Sequence, residues 1–340
     1  MFESPVMPPA PTTPNPPRVL LLQMPWATGQ RPSIALGILS ELCREQSIPV
    51  EVFYPNLDMA ALVGFETAGR MSNERLIYGF SEHIFAVDVF GKERLGSDAY
   101  LAAVAASMDG SGQAPAWKAR FRDLAYLQML RDEAAPQFLA AIEQRVLDHA
   151  PDIVGFTATF NQVMSSLALA ARLKRQRPSL QVLAGGACFD AEMGMEYHRA
   201  LPGVLDHVFL GEAEESFRSY LQRVKAGMPT HDIPGVTSYR DGAVSVVPGR
   251  ALQDLNQSPM PDYDAFFQEK DRLERETGMV FNIEFLPFES ARGCWWGEKN
   301  QCTFCGINGE LMGFRAKDLD AVLRDIVTLS MRHSVVKFTA

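Results

Sequence analysis

A chain of 340 residues has room for about two domains, and 47 % hydrophobic with 21 % charged residues is an ordinary globular composition. Its formal net charge of −9 argues against the clustered basic footprint of a nucleic-acid binder, and no apolar run reaches the ~18 residues that a membrane span needs. Five cysteines, three of them inside twelve residues, read as ligands kept reduced in a cytoplasm rather than as a disulfide scaffold.

Residues 1–17 hold seven prolines and lack the charged start and apolar centre of a signal peptide, so they read as a disordered leader. Arg18 to Gln23 is an apolar run fit for a buried strand, followed by a loop from Met24 to Arg31. Pro32 and Ser33 then open a helix whose apolar positions are Ile34, Leu36, Leu39 and Leu42, and Val50 to Tyr54 is a second strand. Strand, helix, strand implies a parallel sheet. Residues from about 60 to 148 break the alternation as a helical insertion, with patterns at Leu76–Val87, Tyr100–Ser107 and Trp117–His149, a loop at Asp109–Gly112 and Pro136 as a break. The insertion is expected to wall one side of a cavity, and its Phe80, Phe85, Phe121 and Tyr126 to be core.

The alternation then resumes. Ile153–Thr157 is a strand, Gln162–Gln176 a helix, and Gln181–Ala184 a strand running into Gly185-Gly186. Residues 189–199 form a short helix, Asp206–Leu210 a fifth strand that meets Gly211-Glu212, and Ala213–Ala226 a last helix. Residues 18–227 are therefore a doubly wound α/β unit, whose ligands sit beyond the carboxyl ends of its strands. Paired glycines there let a bulky ligand approach the backbone, although Gly-Gly also serves as a plain tight turn. Glu212 can reach a ligand from a strand end, or it can join Glu214 and Glu215 as an acidic cluster at a helix N-terminus. His198 and His207 have no partner at metal spacing and read as structural.

Residues 228–279 form an appendage and linker. Val236–Tyr239 and Ala243–Val247 flank Asp241-Gly242, a hairpin turn signal, and 253–279 connects to a second domain at 280–340. Val280–Phe285 with Phe288 reads as a strand ending at Arg292-Gly293, so Cys294 opens a loop at a strand's carboxyl end, the rim where barrel chemistry collects. Cys294, Cys302 and Cys305 follow the spacing C-x7-C-x2-C. A structural zinc takes four protein ligands, and the other cysteines, Cys43 and Cys188, lie far upstream. Three thiolates suit a [4Fe–4S] cluster with one iron left open, and a zinc knuckle is the plainer alternative. Ala316–Met331 reads as a helix and Val335–Thr339 as a strand.

The cysteine loop resembles that of the radical SAM superfamily, in which three cysteines hold the cluster and S-adenosylmethionine (SAM) chelates the open iron. The usual spacing there is C-x3-C-x2-C with an aromatic before the third cysteine; here that aromatic is Phe304, and the first gap is seven. The words Ser-Ala-Arg-Gly-Cys-Trp-Trp-Gly-Glu-Lys and Cys-Thr-Phe-Cys-Gly, with Pro261-Asp262-Tyr263-Asp264-Ala265-Phe266-Phe267 upstream, resemble a narrower group, the radical SAM proteins that mature ribosomally made peptides. The α/β unit is similar to the cobalamin-binding domain of many radical SAM enzymes. The matching words are Pro32-Ser33 with Leu36-Gly37, Gly185-Gly186, and Gly211-Glu212-Ala213-Glu214. One departure is that the loop Met24 to Gln30 has no histidine, where methionine-synthase-type domains carry Asp-x-His-x-x-Gly. The same absence is common among cobalamin-dependent radical SAM enzymes.

The resemblance implies the rest. Cys294, Cys302 and Cys305 would hold the cluster, Phe304 would pack near the adenine of SAM, and Arg292, Trp295 and Trp296 would shape the loop, the two tryptophans being equally readable as plain packing. Pro32, Ser33, Gly185, Gly186, Gly211 and Glu212 would line a cobalamin site. The reaction would cleave SAM reductively, with an electron donor such as flavodoxin or ferredoxin, and methylate a carbon of a precursor peptide. Two alternatives stay open: a peptide crosslinking or epimerising enzyme whose cobalamin domain is vestigial, and a non-catalytic metal- or ligand-binding sensor. A radical SAM barrel has about six strand–helix repeats and residues 280–340 supply little more than one, so the resemblance also implies the amino-terminal part of a longer protein.

Overall fold

The computed structural model describes residues 16–108, 115–240, 242–305 and 312–340. Most of the expected leader, the loop at Asp109–Gly112 and Asp241 of the hairpin turn lie outside them. The first strand, β1 (Val19–Gln23), is followed by α1 (Ile34–Glu45) and β2 (Val50–Phe53). The Ser33 hydroxyl caps α1 by accepting from the Leu36 N–H at 3.3 Å, as its position after Pro32 leads one to expect.

The insertion starts at Pro55 rather than 60. It comprises α2 (Pro55–Val63), α3 (Phe65–Asn73), α4 (Tyr78–Phe90), α5 (Ser97–Ser107), α6 (Ala116–Arg122), α7 (Leu124–Met129) and α8 (Ala135–His149). Pro136 does not break the chain. A single wider π turn at Leu130–Ala134 joins α7 to α8 without leaving the helical conformation, and Pro136 follows directly after it in α8, so the helix widens before the proline instead of ending there.

The sheet resumes with β3 (Ile153–Thr157), α9 (Val163–Gln176), β4 (Gln181–Gly185), α10 (Ala191–Ala200), β5 (His207–Val208) and α11 (Glu214–Lys225). The five strands are parallel in the order β2-β1-β3-β4-β5, with Val19 registered against both Val50 and Ile153. Successive side chains of β1 go to opposite faces. Leu20 and Leu22 join Phe80, Phe85, Phe121 and Phe138 of the insertion, with Tyr126 packed at the edge of that core. Val19 and Leu21 join Leu36, Leu42, Phe217 and Tyr220 on the other face. The expected fifth strand shrinks to two residues because the Leu210 N–H goes to the Gly235 carbonyl, while Phe209, whose N–H still donates to Ala184 of β4, bridges Val236 of the next segment on its other side.

The hairpin forms as expected, β6 (Thr237–Arg240) antiparallel to β7 (Ala243–Val246). The linker, however, contains a helix, α12 (Asp264–Thr277), which docks Phe266, Glu269 and Leu273 on the α/β unit. The expected strand at 280–285 is absent. Its backbone is used otherwise: the Phe281 N–H donates to the Glu274 carboxylate and the Glu284 N–H to the Gln30 carbonyl. Regular pairing begins only at β8 (Leu286–Pro287), parallel to β11 (Phe338–Thr339). Between them, β9 (Ala291–Arg292) pairs antiparallel with β10 (Arg315–Ala316), and α13 spans Leu319–His333.

Candidate functional site

In a sheet ordered 2-1-3-4-5, the connections leaving β1 and β3 run to opposite faces, and the strands' carboxyl ends open a crevice there. A cleft of about 900 Å³ occupies that point. The loop after β1 supplies Trp26, Ala27, Thr28 and the buried pair Pro32-Ser33. The end of β3 and the loop after it supply Thr157, Thr159, Phe160, Asn161 and Gln162. Trp26 turns inward and donates from Nε1 to the Ser81 carbonyl at 2.8 Å, while Asn161 Nδ2 donates to Ser81 Oγ at 2.8 Å. The two loops are thus tied to α4. Gln162 leaves the start of α9 without a side-chain cap, and Glu82 of α4 takes that place, accepting from the Val163 and Met164 N–H groups at 3.1 and 2.6 Å. Burial outweighs these two hydrogen bonds and pushes the Glu82 carboxyl up to about 7.

Ser72, Asn73, Arg75 and Tyr78 of the insertion form one wall of the cleft. The opposite wall is Phe285, Pro287–Ala291 and Thr339, from the segment that leads to the cysteines. The polar run Thr157-Ala158-Thr159-Phe160-Asn161-Gln162 is a part of the site that the sequence-based expectations do not include. Its position at a strand's carboxyl end, beside the point where strand order reverses, is the signal that could have marked it.

A slot of about 290 Å³ opens beside the cleft and shares Ile34, Ala35, Thr157 and Glu289 with it. It is apolar, floored by Leu21, Gly155, Leu183 and Phe209 and bordered by Gly185, Gly186 and Gly211. Gly186 has φ +97°, and a Cβ there would stand 2.6 Å from the Ala158 carbonyl oxygen, so only glycine fits. A Cβ on Gly185 would meet only ordinary contact with Phe209 at 3.5 Å, so this glycine serves slot volume rather than backbone geometry. The Gly211 N–H donates to Asp190 at 2.7 Å. Glu212 borders the slot, but its carboxylate is bound by Arg315 and the Leu252 N–H. Burial opposes its ionisation, yet these partners and Arg292 prevail and hold the carboxyl below its ordinary value. No histidine lines either cavity among the described residues. His207 lies instead in β5 and His198 in α10, both bonded to Thr237.

The three cysteines sit on the loop between β9 and β10. All three are half-buried and none forms a disulfide; the Cys294 N–H donates to the Met312 carbonyl at 3.0 Å, and the Cys305 N–H to the Cys302 carbonyl at 3.1 Å. Phe304 is 89 % exposed, and Trp295 and Trp296, 60 % and 50 % exposed, meet edge-on with ring centres 6.1 Å apart. The tryptophans are not core packing. Among the described residues no three His, Cys, Asp or Glu side chains converge on one ion. A cubane cluster does not require that, since each thiolate bonds a different iron, and thiolates are the donors such clusters take. The donor set fits an iron–sulfur cluster, and the glycine-bordered apolar slot beside a large polar cleft fits a flat aromatic group tethered to a bulky ring.

Comparison with known proteins defines the class. Residues 99–221 match the family described as B12 binding domain, a span that starts in α5 and takes in β3 to β5. The fold is thus a parallel-sheet α/β unit with a B12-binding domain, similar in structure to cobalamin-dependent radical SAM enzymes. In particular, the chain is 26 % identical over 189 residues, 54 % of its length, to an uncharacterized methyltransferase of Pyrococcus horikoshii. It superposes over 94 % of its length on the cobalamin-dependent S-adenosylmethionine radical enzyme OxsB with aqua-cobalamin and SAM bound, with TM-score 0.56 and 16 % identity. It also superposes on the radical S-adenosylmethionine methyltransferase TsrM of Kitasatospora setae with tryptophan substrate and aza-SAM bound, with TM-score 0.52 and 11 % identity over 94 % of its length. At such identities the likeness is one of fold. The chain covers 38 % of the Pyrococcus protein, 33 % of OxsB and 46 % of TsrM. No helix among the described residues is long and apolar enough to cross a membrane.

Proposed function

We propose that this chain belongs to a radical SAM enzyme that methylates a carbon of a ribosomally made precursor peptide with cobalamin as methyl carrier. The observation that carries the reading is one shared cleft. Its floor is the switch point of a B12-type sheet, and its far wall, Pro287 to Ala291, leads within three residues to Cys294. A cobalamin group and an iron–sulfur cluster would therefore face one space. When bound, the reduced cluster supplies the electron that breaks the C5′–S bond of SAM, and cobalamin supplies the transferable methyl group.

The chain's own residues have simpler tasks. Cys294, Cys302 and Cys305 hold the cluster, and the exposed Phe304 ring offers a face to the adenine of SAM. Pro32, Ser33, Gly185, Gly186 and Gly211 shape the cobalamin site. Glu212 borders it with its backbone, because its carboxylate is occupied elsewhere. Ser72, Asn73 and Tyr78 close the cleft against water and offer polar contacts to a peptide backbone. An electron donor of the flavodoxin or ferredoxin kind completes the system.

The test is anaerobic reconstitution of the chain with iron, sulfide and hydroxocobalamin, followed by desalting and metal analysis. About four irons with one cobalt per chain is the expected result. Iron without cobalt would leave a radical SAM peptide modifier of the crosslinking or epimerising kind, and a single zinc without iron would sink both.

A further inference from the structure

The cysteine loop is closed at its base by the β9/β10 pair, which is only two residues long on each side. So short a pair is not stable alone. Worse, Arg292 and Arg315 are direct partners across it, and like charges directly opposite weaken a strand pair. The remedy comes from the turn after β5. Glu214 pairs with the Arg292 guanidinium through both oxygens, one contact at 3.1 Å, and Glu289 accepts from the same guanidinium at 2.6 and 3.0 Å. Glu212 accepts from Arg315 at 2.6 and 2.9 Å and lies 3.2 Å from Arg292, so its carboxylate bridges the two arginines. Arg315 also donates to the Leu252 carbonyl at 2.6 Å. The cluster is sheltered: side-chain exposure is 17 % for Arg292 and 6 % for Glu214.

We propose that Glu212 and Glu214 of the α/β unit clamp the neck of the cysteine loop, making Arg292 and Arg315 positioning residues for Cys294. The link from clamp to cysteine is short and stiff. Arg292 is followed by Gly293, at φ +78°, where any Cβ would collide with the Gly313 carbonyl, and then by Cys294, bonded through its N–H to Met312. The clamped Arg292 is thus separated by Gly293 alone from Cys294, whose own N–H is held by Met312 across the neck, so loosening the pair at Arg292 loosens the anchor of Cys294. The clamp also accounts for the two carboxylates of the word Gly-Glu-Ala-Glu, while Gly211 and the backbone of Glu212 still border the slot. The geometry at Cys294 becomes a property of the β5–α11 turn.

The experiment compares the full chain with Arg292→Gln, Glu214→Gln, the double variant, and Arg292→Lys. The first readout needs no cluster: limited chymotrypsin digestion of the metal-free protein, with cleavage after Trp295, Trp296 and Phe304 mapped by mass spectrometry. Cleavage of a transiently opened segment follows its open population, so Arg292→Gln is expected to be cut in this loop about tenfold faster, with cutting elsewhere unchanged. The double variant, which no longer leaves Glu214 as an uncompensated charge, is expected to be cut more slowly than Arg292→Gln, and Glu214→Gln, which leaves Arg292 paired with Glu289 and Glu212, the least of the three. Lysine restores charge without the two-pronged geometry and is expected to rescue little. The second readout rests on the cluster reading: the electron paramagnetic resonance spectrum of the reduced, reconstituted protein should change line shape in Arg292→Gln. Loop cleavage within twofold of the parent in every variant would overturn the clamp. A parent chain that takes up no iron would overturn the cluster reading instead and leave the digestion to decide.

Discussion

Glu82 gives the sharpest prediction, because the insertion reaches the cleft floor through it. Its carboxylate caps the start of α9, directly after Asn161 and Gln162, and burial pushes it from 4.5 up to about 7. The folded state therefore holds this proton more tightly than the unfolded chain does. The associated stability is complete below pH 4.5 and is lost as pH rises through 7. Between pH 5 and pH 8, at ~1.4 kcal/mol per pH unit across the window, the loss comes to about 2–3 kcal/mol. Glu82→Gln keeps the shape and abolishes the titration. It also turns an amide N–H₂ toward one backbone N–H, at a pH-independent cost of ~1 kcal/mol. Urea unfolding followed by circular dichroism at pH 5, 6, 7 and 8 separates the two effects. The parent's advantage over the variant should shrink by about 2–3 kcal/mol from pH 5 to pH 8. A difference that stays flat with pH would refute the dominance of burial at this carboxylate.

Three further outcomes are expected. Gly185→Val adds an isopropyl group to the slot at a position whose Cβ has room, so hydroxocobalamin uptake, read by absorbance after desalting, should fall at least ~10-fold with the unfolding midpoint unchanged. Glu269 accepts from Arg145 at 2.7 and 3.0 Å and from Arg272 at 2.7 Å, and Glu269→Ala would leave both guanidinium groups half-paired between α12, α8 and Asp58. A cost of ~3 kcal/mol in urea unfolding is expected, with α12 the first segment to lose hydrogen-exchange protection. Burial lowers His198 from 6.5 to about 4, so the unfolded chain takes its proton first and stability falls as pH drops through that window. The loss between pH 7 and pH 5 is about 2 kcal/mol, and His198→Phe should remove that share of the acid sensitivity.

The alternation of strands and helices was legible in the sequence because it rests on local pattern. Leu20 and Leu22 against Val19 and Leu21 carry the period of two, Ser33 is a helix cap wherever it stands before an apolar run, and glycine is required at 186 by its own backbone angle. The cysteine spacing is likewise local, and with Phe304 it points to a cluster loop without any knowledge of the fold. Where local pattern fails, distant partners compete with it. Residues 280–285 have strand composition, but the Glu274 carboxylate and the Gln30 carbonyl take their N–H groups first. Pro136 looks like a break, but one wider turn absorbs it. The linker helix α12 shows its purpose only against the sheet face that buries Phe266 and Leu273.

Glu212 shows the boundary most clearly. From sequence it was either a ligand contact or one acid of a helix N-terminus. Its partner Arg315 lies 103 residues away, and the partner of Glu214, Arg292, lies 78 residues away. No periodicity or spacing encodes such pairs, since they exist only once the β5–α11 turn and the cysteine loop are folded against each other. Residue order was enough for a parallel α/β unit with open strand ends and a loop of three thiolates. That the segment leading to those thiolates walls the cleft at the strand ends emerges only on folding, where buried ion pairs, made strong by exclusion from water, hold the loop's neck against the β5–α11 turn.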